Sequence, residues 1–146
     1  MKKGIIAALL CGLAVLFVAC AAKKRAAKQT DITLLEWRLL SVKPAGGEDM
    51  IYPVKDSGQQ ATLNISPEGQ AHGNAGCNGF SGKATLLKQQ IQFEGIRTTR
   101  MLCEEGMDIE NAFIGALQAA DSYEISGNIL RLKYKNSVLA TFTSYK

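Results

Sequence analysis

Ten residues restrict this chain more than any others. Gly73–Gly82, GNAGCNGFSG, puts four glycines, two asparagines and a cysteine into one short run. Glycine accepts positive φ and close backbone approach, and it weakens the interior of a regular helix or strand. Such a run suits a strand that bulges, turns and leaves again. Asn74 and Asn78 are residues that bond to nearby backbone or accept a left-handed conformation. Phe80 is the one large apolar anchor, and Cys77 sits near the centre. A second segment, TTRMLC at Thr98–Cys103, ends in another cysteine. By residue chemistry alone, the first run is a tight crossing between strands that the rest of the chain frames.

The flanking sequence supplies that frame. Leu34–Val42 alternates Leu35, Trp37 and Leu39 with Glu36 and Arg38, a strand pattern with Trp37 turned inward. Lys43–Gln60 is a long loop rich in Gly, Pro and Asp. Ala61–Ile65 and Gln70–Asn74 read as antiparallel strands about the turn Ser66–Gly69. Lys83–Leu87 and Ile91–Phe93 form another pair about Lys88–Gln90. Ile109, Ala112, Phe113, Ala116, Leu117 and Ala120 recur at helical spacing, which predicts one helix over 108–121. Asp108 is its expected N-cap, with Glu110, Asn111 and Gln118 on the polar face. Ser122–Ile125, Ile129–Tyr134 and Val138–Thr143 complete the chain as strands joined by tight turns, which demand antiparallel neighbours. The expected fold is α+β and mostly antiparallel, with about seven to eight short strands in a barrel-like or strongly curved sheet and one amphipathic helix.

The chain carries a formal charge of +4, but Lys2, Lys3, Lys23, Lys24, Arg25 and Lys28 all precede Thr30. Of the 17 basic residues that leaves 11, against all 13 acidic ones, so the body is −2. A nucleic-acid binder carries its positive charge on the folded domain, so no nucleic-acid partner is expected. The basic start and uncharged run over residues 1–19 have the layout of a secretory signal peptide. Phe17-Val18-Ala19-Cys20 resembles a bacterial lipobox, with Phe17 where leucine is usual, and implies acylation at Cys20. The favoured organisation is a lipoprotein signal peptide at 1–19, a basic tether at 20–33 and a domain at 34–146. Two alternatives are a signal anchor, since the run approaches the ~20 residues that span a bilayer, and ordinary cleavage to a soluble protein. All three place the body outside the cytoplasm.

Cys77 and Cys103 are then the only cysteines of the body. An even pair in an exported domain favours a disulfide, and closing the intervening ~26 residues would contribute about 3–4 kcal/mol. The alternative is two small buried thiols. Enzymatic use of Cys77 would need His72, the only histidine, as its base. Zinc held by Cys77, Cys103 and His72 would have three protein ligands, but at a spacing matching no standard pattern. Arg97, Arg100, Glu104 and Glu105 cluster at the second motif. Arg100 is the residue expected to fix the glycine crossing by bonding its carbonyls. There is no phosphate-cradling Gly-rich loop with Lys-Ser/Thr, no G-x-S-x-G and no H-E-x-x-H. No catalytic residue, metal or cofactor is expected.

Gly76-Cys77-Asn78-x-Phe80-x-Gly82, then Thr99-Arg100-Met101-x-Cys103, then a helix containing Glu110, Phe113 and Leu117, resembles the META domain of HslJ-type envelope lipoproteins. Trp37 and the closing Leu130-x-Leu132 strand also fit, so the resemblance covers about 34–142. It implies a small antiparallel β fold with one helix in the bacterial envelope, outer membrane included. Such proteins are associated with heat-shock response, drug tolerance or virulence and have no settled catalytic activity. The family includes members in reducing compartments, so the motif alone does not imply a disulfide. The expected function is a non-enzymatic binding or protective role in the envelope, with a membrane-anchored body and an unknown protein or small-molecule partner. The alternatives are an inhibitor of an exported hydrolase of the lysozyme type and a thiol enzyme using Cys77 and His72.

Overall fold

The computed structural model describes residues 31–53, 60–103 and 105–144; the leader, Cys20, most of the tether, residues 54–59 of the long loop and Glu104 lie outside the described residues. Among the described residues, eight antiparallel strands form one closed, strongly curved ring with a single α-helix: β1 Trp37–Val42, β2 Thr62–Ile65, β3 Gln70–Asn74, β4 Gly79–Leu87, β5 Gln90–Thr98, α1 Met107–Ala119, β6 Ser122–Ser126, β7 Ile129–Tyr134 and β8 Ser137–Ser144. Strand order in space follows strand order in sequence, and β1 closes on β8 from Trp37↔Ser144 to Val42↔Ala140. Alternation fixes which side faces in: Trp37, Leu39, Leu63, Ile65, Ala84, Ile91, Phe93, Leu130, Leu132, Ala140 and Phe142 are all buried.

The seams of the ring are unequal. β4 pairs with β5 over nearly its whole length, whereas β1 meets β2 only at Trp37↔Leu63 and Arg38↔Thr62. β5 meets β6 only at Gln90↔Ser122, supported by Ile91 N–H to the Asp121 carbonyl (3.1 Å) and Tyr123 N–H to the Gln89 carbonyl (2.8 Å). The β1–β2 and β5–β6 seams coincide with the two long connections, the 43–61 loop and the segment containing α1; β2–β3 is as short, at Asn64↔His72 and Ile65↔Ala71, but is joined by a tight turn. At the β5–β6 seam, the Asp121 carboxylate accepts from the Lys135 backbone N–H and the Ser122 hydroxyl, which hold its carboxyl below the usual range.

α1 touches β1, β5, β7 and β8, strands from opposite sides of the ring, so it lies across the ring and not along one wall. Ala112, Phe113, Ala116 and Leu117 are buried beneath it. Phe113 is fully buried between Phe80 of β4 (ring centroids 5.4 Å apart, edge-on) and Phe142 of β8 (5.8 Å, edge-on). This edge-to-face geometry is the one aromatic quadrupoles favour. At the other end of β1, a short 3-10 turn at Ile32–Leu34 buries Ile32, whose carbonyl accepts from Trp37 Nε1 at 2.9 Å. A buried indole needs such a partner. Ile32, assigned by sequence to the tether, is therefore packed with the body.

The helix differs from its sequence reading in three ways. It runs from Met107 to Ala119, not 108–121, because Ala120 is already extended. Its N-cap is Gly106 in a left-handed conformation, not Asp108, which falls within the first turn. Glu110, expected on the polar face, is buried. β4 also begins at Gly79, four residues before expected, so the second part of the glycine run, from Gly79 to Gly82, is strand as well as its start in β3. The core makes one prediction: Phe113→Ala should cost about 3–5 kcal/mol, as large-to-small aromatic changes in cores do, measured by urea unfolding. A loss under about 1 kcal/mol would show that Phe113 is not the centre of the packing.

Candidate functional site

The glycine run leaves β3 at Asn74 and re-enters β4 at Gly79, directly opposite it. Between them, Gly76 N–H donates to Asn74 Oδ1 (2.7 Å) and Ala75 N–H donates to the Asn78 carbonyl (2.8 Å), which folds the chain back on itself. Gly76 has φ +124°, and a Cβ there would meet the Gly106 carbonyl oxygen at 3.1 Å and Ile109 Cγ2 at 3.2 Å. Glycine is thus required twice over at Gly76, by conformation and by the closeness of α1. Gly82 lies within β4 facing Ile96, where a β-bulge shifts the β4–β5 register between Ser81 and Lys83. The bulge anticipated for this run is therefore on the partner strand, at Gly95 with φ +61°.

Asn78 is the centre of the site and is 2% exposed. Its backbone N–H donates to Glu110 Oε2 (2.8 Å), and its Nδ2 donates to both Glu110 oxygens (3.1 and 3.0 Å) and to the Met101 carbonyl (3.1 Å). Its Oδ1 accepts from Met101 N–H (2.7 Å) and Thr99 Oγ1 (2.8 Å). The Met101 N–H fixes the amide's orientation, because only the oxygen can face a backbone donor. One side chain thereby ties together the crossing, the segment after β5 and the first turns of α1. No Lys or Arg pairs with Glu110 among the described residues. Peptide and amide N–H groups hold its carboxylate, near a helix N-terminus where the dipole favours negative charge.

The disulfide Cys77–Cys103 ties the first two of these, the crossing and the segment after β5, with its Cα atoms 6.0 Å apart. Cys77 is 2% exposed. His72 stands on β3, exposed, between Asn64 and Ser81 in the register. No cluster of three or more metal-ligating side chains exists among the described residues. Arg100 is exposed and makes no hydrogen bond or ion pair with the described residues, so it does not fix the crossing; Asn78 and Glu110 do that work. Sequence reasoning missed Glu110. Its spacing to Phe113 and Leu117, three and seven residues on, placed it on the apolar face.

Beyond the network the chain turns outward. Met101 is 57% exposed and Leu102 is 97% exposed, although Met101 is pinned through its backbone and Cys103 through its sulfur. The site can therefore hold two apolar side chains in solvent on a braced loop.

Asn78→Asp tests the network by exchanging one NH₂ for oxygen. It sets a second carboxylate against Glu110 and removes the donor to the Met101 carbonyl. The expected loss is about 3–5 kcal/mol, as when a buried polar partner is broken, read by chemical denaturation. Reducing the wild-type disulfide should remove about 3–4 kcal/mol, and both losses should occur without a change of fold by circular dichroism. An Asp variant as stable as wild type would show that the network is not needed.

Three solved structures share this architecture. An NMR structure of a protein from Burkholderia xenovorans aligns with TM-score 0.65 and 28% identity, over 79% of this chain and 84% of that one. A second protein solved by NMR aligns with TM-score 0.59 and 21% identity, over 77% of this chain and 91% of that one. The crystal structure of a DUF4847 family protein from Bacteroides vulgatus aligns with TM-score 0.54 and 14% identity, over 77% and 93%. The last two show likeness of fold alone. No curated protein matches the chain. The META domain family model matches residues 30–146, which span the ring, the crossing and its braced loop, and the chain belongs to the META domain family.

Proposed function

We propose that this protein is a non-catalytic binding module of the bacterial envelope, anchored by lipid at Cys20 and engaging a protein partner through Met101 and Leu102. The observation supporting this is the 97% exposure of Leu102 on a loop fixed at both neighbouring positions. Apolar side chains on a backbone already held in place cost little backbone entropy on docking. Burying a leucine side chain contributes about 1.5–3 kcal/mol. The sulfurs are committed to each other, and Asn78 and Glu110 to a network closed to solvent. A protective role under stress is compatible with a body stabilised this way. A second reading, inhibition of an exported hydrolase such as lysozyme, is favoured by the same loop, because blocking a cleft needs an exposed element that does not yield.

One experiment tests both parts. Wild type, Leu102→Glu and Cys20→Ala are expressed as full chains and crosslinked in intact cells. Cys20→Ala should leave the membrane fraction and lose lipid labelling. Leu102→Glu should remain stable within about 0.5 kcal/mol, as exposed substitutions do, and lose the crosslinked partner. A partner retained by Leu102→Glu would overturn the docking surface, and unchanged fractionation of Cys20→Ala would overturn the anchor.

A further inference from the structure

The ring aligns four polar side chains that are distant in sequence. The register pairs Asn64 of β2 with His72 of β3, His72 with Ser81 of β4, and Ser81 with Arg97 of β5. Paired residues project on the same face of a sheet. His72, Ser81 and Arg97 are exposed and Asn64 is half-buried, so this row is on the outer surface. Beside it lies a depression of about 360 Å³ lined by Gly79, Phe80, Ser81, Arg97, Thr98 and Thr99. Gly79, two residues before Ser81 on the same strand, shares its face but has no side chain, which opens the space. The Gly79 carbonyl is already used by Thr99 N–H (3.0 Å), so it does not turn toward a ligand.

Every side chain of the row can donate a hydrogen bond, and none is acidic. Lys83, two residues beyond Ser81 on that face, adds a cation; the acid on the adjoining row, Glu94, pairs with Lys83 in the register. Arg97 makes no ion pair or hydrogen bond with the described residues. With strands about 4.8 Å apart, His72 and Arg97 stand roughly 10 Å from each other across Ser81. That is room for one tetrahedral oxyanion over the serine hydroxyl, with the guanidinium reaching it from one side and the imidazole from the other. The guanidinium fork matches two phosphate oxygens, and a hydroxyl and an imidazole N–H meet the remainder.

We propose that the outward row His72, Ser81 and Arg97, beside the depression at Gly79, is a binding site for a phosphate group, with Asn64 placed to bond whatever the phosphate is attached to. The site is separate from Met101 and Leu102 and does not rest on the docking role proposed for them. Its ligand is a phosphorylated lipid or a soluble phosphate ester.

The test is amide chemical-shift mapping of the lipid-free body with its disulfide intact. Inorganic phosphate is titrated into wild type, Arg97→Ala, Ser81→Asp and the control Arg131→Ala, whose basic residue lies on β7. Saturable shifts centred on His72, Ser81 and Arg97 are expected. They should weaken about tenfold or more in Arg97→Ala and Ser81→Asp, as loss of a charge-assisted contact does, and be unchanged in Arg131→Ala. Vesicles of phosphatidic acid, against phosphatidylcholine alone, then separate the sources: Arg97-dependent vesicle binding identifies a lipid phosphate, and its absence with phosphate still bound identifies a soluble ester. Absence of saturable shifts, shifts that survive both site substitutions, or equal weakening by Arg131→Ala would overturn the proposal.

Discussion

A primary amide offers two N–H donors and a carbonyl oxygen, and when it is buried each must find its partner within the protein. Asn78 meets this condition by reaching three segments that are far apart in sequence: its own crossing, Thr99 and Met101 after β5, and Glu110 of α1. The helix could not shift along the ring without stranding the Glu110 carboxylate, and the loop after β5 could not lift without exposing Oδ1. Aspartate, glutamine and leucine would each fail here, by charge, reach or absence of polarity. The disulfide joins the crossing to the segment after β5 covalently, so the loop bearing Met101 and Leu102 has two restraints of different physical kinds. Reducing agents act on one and leave the other.

The network also explains why the apolar packing has a definite geometry. Phe113 lies one helical turn beyond Glu110, so fixing the carboxylate fixes where the ring enters the core between Phe80 and Phe142. Hydrophobic burial supplies most of the driving force but little direction. Hydrogen bonds to Asn78 supply the direction, and Gly76 supplies the clearance that lets α1 approach the crossing closely.

Much of this was legible in the residues. Alternation in β1, β2 and β7 marked inward and outward faces, tight turns marked antiparallel neighbours, and the glycine run marked a crossing. The helix was legible in its apolar face but not in its start, because a left-handed glycine cap leaves no side-chain signature of the kind Asp108 offered. Arg100 drew attention as a long cation near many carbonyls, yet it stands exposed, and the crossing is bonded from Asn78 and Glu110 instead. Asn78 and Glu110 are 32 residues apart, and only the closed ring brings them together. Local reading registers a polar side chain on an apolar face as an irregularity, and its partner can be named only once the strands have been ordered. The same holds for the outer row from Asn64 to Arg97, which exists only in the register.

The β1–β2 and β5–β6 seams, each bridged by a long connection, divide the ring into two sheets, β2 to β5 and β6 to β8 with β1 added. Within each, neighbouring strands are joined by tight turns and can pair soon after they are made. β1 is the exception: among the described residues it is the first strand, and its long partner is the last. Closing that pair means bringing nearly opposite ends of the body together, the kind of distant contact that slows folding. Trp37 therefore has no finished pocket until residues 137–144 have paired alongside β1. The earliest of these strands waits exposed for the latest one.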